Sequence, residues 1–150
     1  MAPVLTACAG FLLAVLWTDL IFDSQAPWGA EPVDEPVLAS IAAYYHRATT
    51  TSQPRGSLIA SVMAVLLIAL GLEAWRGTSP GWLLTVSAAL AGGPILLALL
   101  RTVPNAVRLG RREGSTADQS RLARGIHLDH MACLAGMIAF LALWLLQALA

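Results

Sequence analysis

Four stretches of this chain, residues 3–22, 57–75, 81–100 and 129–149, are long apolar runs with almost no charge inside them. A helix needs about 20 such residues to cross a hydrocarbon core of roughly 30 Å, and in that core the backbone must satisfy its own polar groups. The expected fold is therefore all-α: a four-helix transmembrane bundle, one integral membrane domain over residues 1–150. Only 12% of the residues are charged, against about 25% in an ordinary soluble domain. The first run opens without a basic leader, so it is expected to stay as an uncleaved span.

All nine basic residues are Arg and the formal net charge is zero, which gives no electrostatic footprint for nucleic acid. Four spans put the first and third connections on one side. Those connections carry Arg47, Arg55, Arg101, Arg108, Arg111, Arg112, Arg121 and Arg124, leaving Arg76 alone for the other side. The positive-inside rule then places both connections in the cytoplasm and both termini outside it, in a plasma or inner membrane. The basic third connection is expected to meet anionic lipid headgroups. Cys8 and Cys133 fall at different depths and show no paired spacing, so neither a disulfide nor a zinc framework is expected.

The connections carry their own signals. Prolines interrupt QAPWGAEPVDEP in the first, after which Val37, Ile41, Tyr44 and Tyr45 recur at helical spacing. A short interfacial helix follows from that pattern, with the two tyrosines as headgroup-depth anchors. Glu73 and Arg76, three residues apart, predict a local ion pair, and Trp75 and Trp82 bracket the next turn. Gly92-Gly93-Pro94 predicts a kink or a close helix approach. Pro104 predicts an end to the third helix near residues 103–105, with a short basic helix up to Gly114, so the third connection is partly helical. Thr116 and Gln119 have capping-box spacing for the last helix.

Those assignments gather polar residues at one end of the bundle. Asp19 and Asp23, four apart on one helix face, close the first span, and His46 and Arg47 lie on the interfacial helix. Arg101 and Asn105 close the third span, and His127, Asp129 and His130 open the fourth. His127 and His130 are candidate general bases, because imidazole is suited to proton transfer near neutral pH. Asp19, Asp23 or Asp129 would orient such a base, Asn105 would donate to developing oxyanion charge, and Arg101 would give electrostatic support. His46 and Arg47 complete the supporting set. Asp19 or Asp23 is also the expected partner of Arg101 across the bundle. Two other readings stand beside this one. The histidines can simply bond to backbone or headgroups, or His46, His127 and His130 with an Asp can hold a metal, although HxxH is looser than HExxH.

Four short-looped spans, the stretch Val103-Pro104-Asn105 with Leu109, and a His opening the last span resemble the small integral membrane family that includes the fungal anthrone oxygenases. Family members often carry Arg three or four residues after that His; here those places hold His130 and Met131. The resemblance implies a cofactor-free oxygenation, in which a base removes a proton from a polycyclic phenolic substrate and the carbanion reacts with dioxygen. From the residues alone the cofactor is unknown. Two function classes follow: a membrane-embedded oxidoreductase acting on a lipophilic small molecule at the cytoplasmic end, or a non-catalytic four-helix protein serving as accessory subunit or small-molecule binder. The partners expected are the lipid bilayer, its anionic headgroups, a lipophilic small molecule and, as an open option, a membrane-protein oligomer. A lipophilic pocket reaching the histidines would favour the first class.

Overall fold

Each apolar run is helical in the computed structural model, which describes residues 1–26, 28–29, 32–51 and 53–149. In chain order the elements are α1 (Ala2–Asp23), α2 (Glu35–His46), a π-helical turn (Arg47–Thr51) and α3 (Gln53–Arg76). Then come α4 (Gly81–Leu97), a second π-helical turn (Ala98–Thr102), α5 (Val103–Gly110) and α6 (Thr116–Leu149), with no strand among the described residues. Four segments are long and apolar enough to cross a membrane: Ala2–Asp23, Pro54–Arg76, Gly81–Gly110 and Thr116–Leu149. The chain is an all-α, multi-pass membrane bundle. Pro27, Ala30 and Glu31 of the proline-interrupted connection lie outside the described residues.

Two cores form. In the spans, Leu5, Ala9 and Leu12 of α1 pack with Leu66 of α3, Leu83 of α4, and Met137, Phe140 and Trp144 of α6. At the arginine-rich end, Leu38, Ile41 and Ala42 of α2 pack with Ala106 and Leu109 of α5 and with Ala123 and Ile126 of α6. The second core is a cap. Its α2–α5 crossing needs Gly110, where a Cβ would come within 2.7 Å of the His46 backbone nitrogen. One helix serves both cores: the 34 residues of α6 reach about 50 Å at 1.5 Å per residue, well beyond a hydrocarbon core.

The third span does not stop before Pro104. Instead the helix widens into the π-turn Ala98–Thr102 and continues as α5, with Pro104 in the first turn of that helix. A π-turn shifts the hydrogen-bonding register by one residue, so the N–H that Pro104 lacks is accommodated at a helix start, where it would have no intrahelical partner. The Thr102 hydroxyl oxygen lies 3.4 Å from the Leu97 carbonyl oxygen five residues back. The close helix approach expected at Gly92-Gly93-Pro94 forms at Pro94 and not at the two glycines. Added side chains at Gly92 and Gly93 would meet open space, whereas a Cβ at Gly136 would lie 2.9 Å from Pro94 Cγ and 3.3 Å from the Leu90 carbonyl oxygen. Gly136 thus draws α4 against α6.

Two local pairings differ as well. The capping box lies one residue earlier: Ser115 N–H donates to Asp118 Oδ2 at 3.1 Å, and Asp118 N–H donates to Ser115 Oγ at 3.2 Å. Asp reaches back from N3 as Glu would, while Gln119 donates to the Arg112 and Gly114 carbonyls. Glu73 is buried and accepts from Thr78 (2.6 Å) and Ser79 (2.8 Å), with the amino group of Met1 at 3.4 Å, rather than pairing with Arg76. Hydroxyls in the turn and the Met1 amino group together satisfy the buried carboxylate. Trp75 and Trp82 are both exposed at that end, as expected for a belt.

Candidate functional site

Between the two cores lies a layer of paired polar side chains. Asp19 and Asp23 point the same way from the last turns of α1, and adjacent tyrosines of α2 meet them. Tyr44 donates its hydroxyl to Asp19 Oδ1, and Tyr45 donates to Asp23 Oδ1 at 2.5 Å. Arg55, in the first turn of α3, donates to Asp19 Oδ1 at 2.5 Å and to the Tyr44 oxygen at 2.6 Å. The other oxygen of Asp23 takes His130 Nδ1 at 2.6 Å. Asp23 is 1% exposed, so both of its oxygens are satisfied inside the protein.

Burial, then the Asp23 charge and its hydrogen bond, push the Tyr45 phenol well above its ordinary value. Tyr44 is raised too, by burial and by Asp19, with Arg55 opposing. Both phenols therefore remain O–H donors to carboxylates. Headgroup anchoring is not their role here: both rings are buried, and Phe22 stacks on Tyr44 with 3.9 Å between centroids. The choice of two adjacent tyrosines follows from the helix, since neighbours 100° apart reach carboxylates one turn apart on α1.

Arg101 does not meet Asp19. It pairs with Asp129, Nε to Oδ2 at 3.4 Å, while Thr102 donates to the same oxygen at 3.2 Å. Arg101 faces outward at the end of the span, and Arg55 enters from α3 to take Asp19. Depth along the bundle is similar for both arginines; azimuth decides between them.

The polar layer forms one end of an apolar cavity. Two adjoining chambers of about 140 and 360 Å³ share Asp19, Thr102 and His130 at their junction. Leu12, Leu16, Ile95, Cys133 and Met137 line the smaller chamber, and Tyr45, Arg55, Ala60, Leu99 and Ala106 help line the larger. Asp23 occupies Nδ1 of His130, so Nε2 is the nitrogen left for a molecule in the cavity. A carboxylate accepting from Nδ1–H fixes that tautomer and the orientation of the ring. The arrangement is chemically a base with an orienting carboxylate beside apolar space.

The other sequence candidates lie apart from this centre. His127 lines neither chamber; its ring meets Trp28 edge-on at 5.0 Å, and its buried Nδ1 has no hydrogen-bond partner among the described residues. Asn105 is half-buried on α5 and lines neither chamber. His46 and Arg47 are exposed and border an open groove on the outside of the cap, with Arg112 and Gly110. Among the described residues no three His, Cys, Asp or Glu side chains form a group able to hold a metal, so His46, His127 and His130 are not gathered as a ligand set. The arginines of the third connection find acidic partners in part: Arg108 and Arg111 lie 3.8 and 3.7 Å from Glu113, Arg112 lies 2.5 Å from Glu35, and Arg121 pairs with Asp118.

Sequence reasoning did not select Arg55, Tyr44, Tyr45 or Thr102 for the site. A signal existed for Arg55, a lone cation opening a span that needs a carboxylate partner. The tyrosines carried the same pattern as interfacial anchors, and Thr102 carried none. No protein-family model, curated protein or solved structure matches the chain, and its function is read from the chemistry of the site itself.

Proposed function

We propose that this chain is a membrane-embedded, oxygenase-like oxidoreductase that takes a lipophilic, aromatic small molecule into the inter-helix cavity and uses His130 as general base. The observation that carries the reading is the junction of the chambers, where an imidazole held by Asp23 borders apolar walls. His130 Nε2 takes a proton from an activated methylene, leaving a carbanion stabilised by flanking aromatic rings. The carbanion's electron pair bonds to dioxygen; the resulting peroxide takes a proton back, then loses water to leave a carbonyl. One methylene and one dioxygen give one carbonyl and one water, so the sequence needs no external reductant.

Tyr45 and Asp23 hold the ring, and Arg55 with Asp19 supplies charge at the chamber wall. The cytoplasm is the side proposed for this end of the bundle, with both termini outside and the third connection against anionic headgroups of a cell membrane. Eight arginines against one support that orientation. The accessory or binding reading also has a specific support: the carboxylates of the layer are already matched by donors, as a purely structural layer requires.

Dioxygen uptake by the protein in vesicles, with an anthrone as substrate, separates the two. His130→Gln keeps size and hydrogen bonding but removes the base; it should insert normally and lose about 10²–10⁴-fold in rate, the usual worth of a general base. His127→Gln should keep most of the rate. Full activity in His130→Gln, or no uptake by the wild-type protein with that substrate class, would leave the binding reading in front.

A further inference from the structure

The helices do not close evenly around the cavity. Among the described residues α3 packs against α1, α4 and the π-turn that precedes it, but it does not approach α5, α6 or the π-turn Ala98–Thr102. At the far end of the bundle the turn after Arg76 holds α3 beside α4. Toward the arginine-rich end α3 does not approach the π-turn that continues α4, while α4 lies close on α6 where Gly136 meets Pro94 and Leu90. The larger chamber occupies the resulting gap.

Its rim is apolar and accessible. Gly56 and Ala60 of α3 stand on one side, Leu99 and Val103 on the other, and all four are exposed. Leu99 is 57% and Val103 50% exposed, and both lie within a segment long and apolar enough to cross a membrane. The side toward the cap is different. Buried Tyr45 and Ala106 line the chamber beneath the packed α2–α5 crossing, which covers it from the aqueous side.

We propose that the gap between α3 and the α4–α5 junction is a lateral portal, through which a small lipophilic molecule passes from the adjoining bilayer leaflet to His130 without entering water. The proposal deepens the reading of the cavity as a ligand site and depends on it, though not on any reaction at His130. It also narrows the ligand. Small residues at the rim pass a ring or chain, Met63 and Met137 give adaptable walls, and the charged groups at the junction are already paired with one another. The fitting class is a compact, uncharged molecule with a single hydrogen-bonding end, drawn from solution in the membrane.

Photolabelling tests access directly. The probe is an iodophenyl trifluoromethyl diazirine, which dissolves in the bilayer, used with the full-length protein in phosphatidylcholine vesicles and mapped by mass spectrometry. A charged, water-soluble diazirine serves as the parallel arm. The apolar probe should label buried Cys133 and Met137 as well as the outward-facing Leu146, and the charged one should spare the interior. Ala60→Trp, and separately Leu99→Trp, should lower interior labelling about tenfold, equivalent to an added barrier of roughly 1.4 kcal/mol, with labelling of Leu146 unchanged. Both positions are exposed, and Leu146 reports proper insertion of each variant. Absence of interior labelling in the wild-type protein, equal interior labelling by the charged probe, or no effect of either tryptophan in an inserted protein would overturn the portal. Because labelling reads access alone, an active-site base reading that fails in the oxygen-uptake assay leaves this result interpretable, and the reverse holds too.

Discussion

The two ends of α6 contrast sharply in how they bury polarity. Toward its C-terminus Trp144 and Phe140 sit in the apolar core of the spans, and the polar atom there, the indole N–H, is met by one partner, Ser87 Oγ at 3.0 Å. Toward its N-terminus Asp129 and His130 are buried within a layer that draws side chains from α1, α2, α3 and the π-turn before α5. A single neutral hydrogen bond costs little to arrange and fixes one rotamer. A layer of ions must be complete, because a lone charge left in low dielectric is expensive. One end of the helix is held by packing, the other by a complete set of polar partners.

The largest expected effect is on the ionic side. Asp23→Ala removes the acceptor of both Tyr45 and His130 and should cost about 3 to 5 kcal/mol, the usual result of breaking a buried pair from one side. Trp144→Phe keeps most of the ring volume and should cost about 1 kcal/mol through the lost hydrogen bond. Thermal unfolding of the two variants in the same detergent compares them; equal losses would erase the contrast.

The pairing inside the layer gives the next effect. Asp19→Ala and Arg55→Ala should be strongly non-additive, with a coupling of about 1 to 3 kcal/mol, whereas Asp19→Ala and Arg101→Ala should add within roughly 0.5 kcal/mol. The reverse pattern in a double-mutant cycle would put Arg101, not Arg55, on Asp19.

That exchange of arginines marks what the sequence could and could not disclose. Hydropathy alone located the four spans, and the spacing of Asp19 and Asp23 put both carboxylates on one face. Span depth brought His130 to the same level. What remained hidden was azimuth: rotation of each helix about its axis decides which of two equally deep arginines turns inward, and no single helix encodes it. Tyr44 and Tyr45 were ambiguous because an amphipathic ring suits a headgroup belt and a buried carboxylate equally well. The π-turn at Ala98–Thr102 was hidden behind Pro104, which marks an irregularity without saying whether the chain stops or widens. The cavity was the least legible feature, since it lies where α3 does not approach the π-turn and α5 that continue α4, and such a gap depends on how several helices lean on one another.

A further effect, read in its pH dependence, follows from the raised phenols. The folded protein holds the Tyr45 proton where the unfolded chain would release it, so this contribution is whole below about pH 10 and falls as pH rises above it. Tyr45→Phe should lose roughly 1.5 to 3 kcal/mol near neutral pH, as for a hydrogen bond to a charged group, and should show a shallower alkaline loss than the wild-type protein. An unchanged alkaline slope in unfolding curves from pH 9 to 12, as an approximate range around the ordinary phenol value, would place this tyrosine in water.

Asp23 holds His130 through Nδ1, which leaves Nε2 for the cavity. Nitrogen-15 NMR of histidine-labelled protein in a bilayer tests it directly through the tautomer of the neutral ring. The expected result is a proton on Nδ1, shared with the Asp23 carboxylate, and an unprotonated Nε2 whose resonance moves when a lipophilic aromatic molecule is added; Asp23→Asn should weaken the preference. A neutral ring carrying its proton on Nε2, with a resonance indifferent to such molecules, would contradict it.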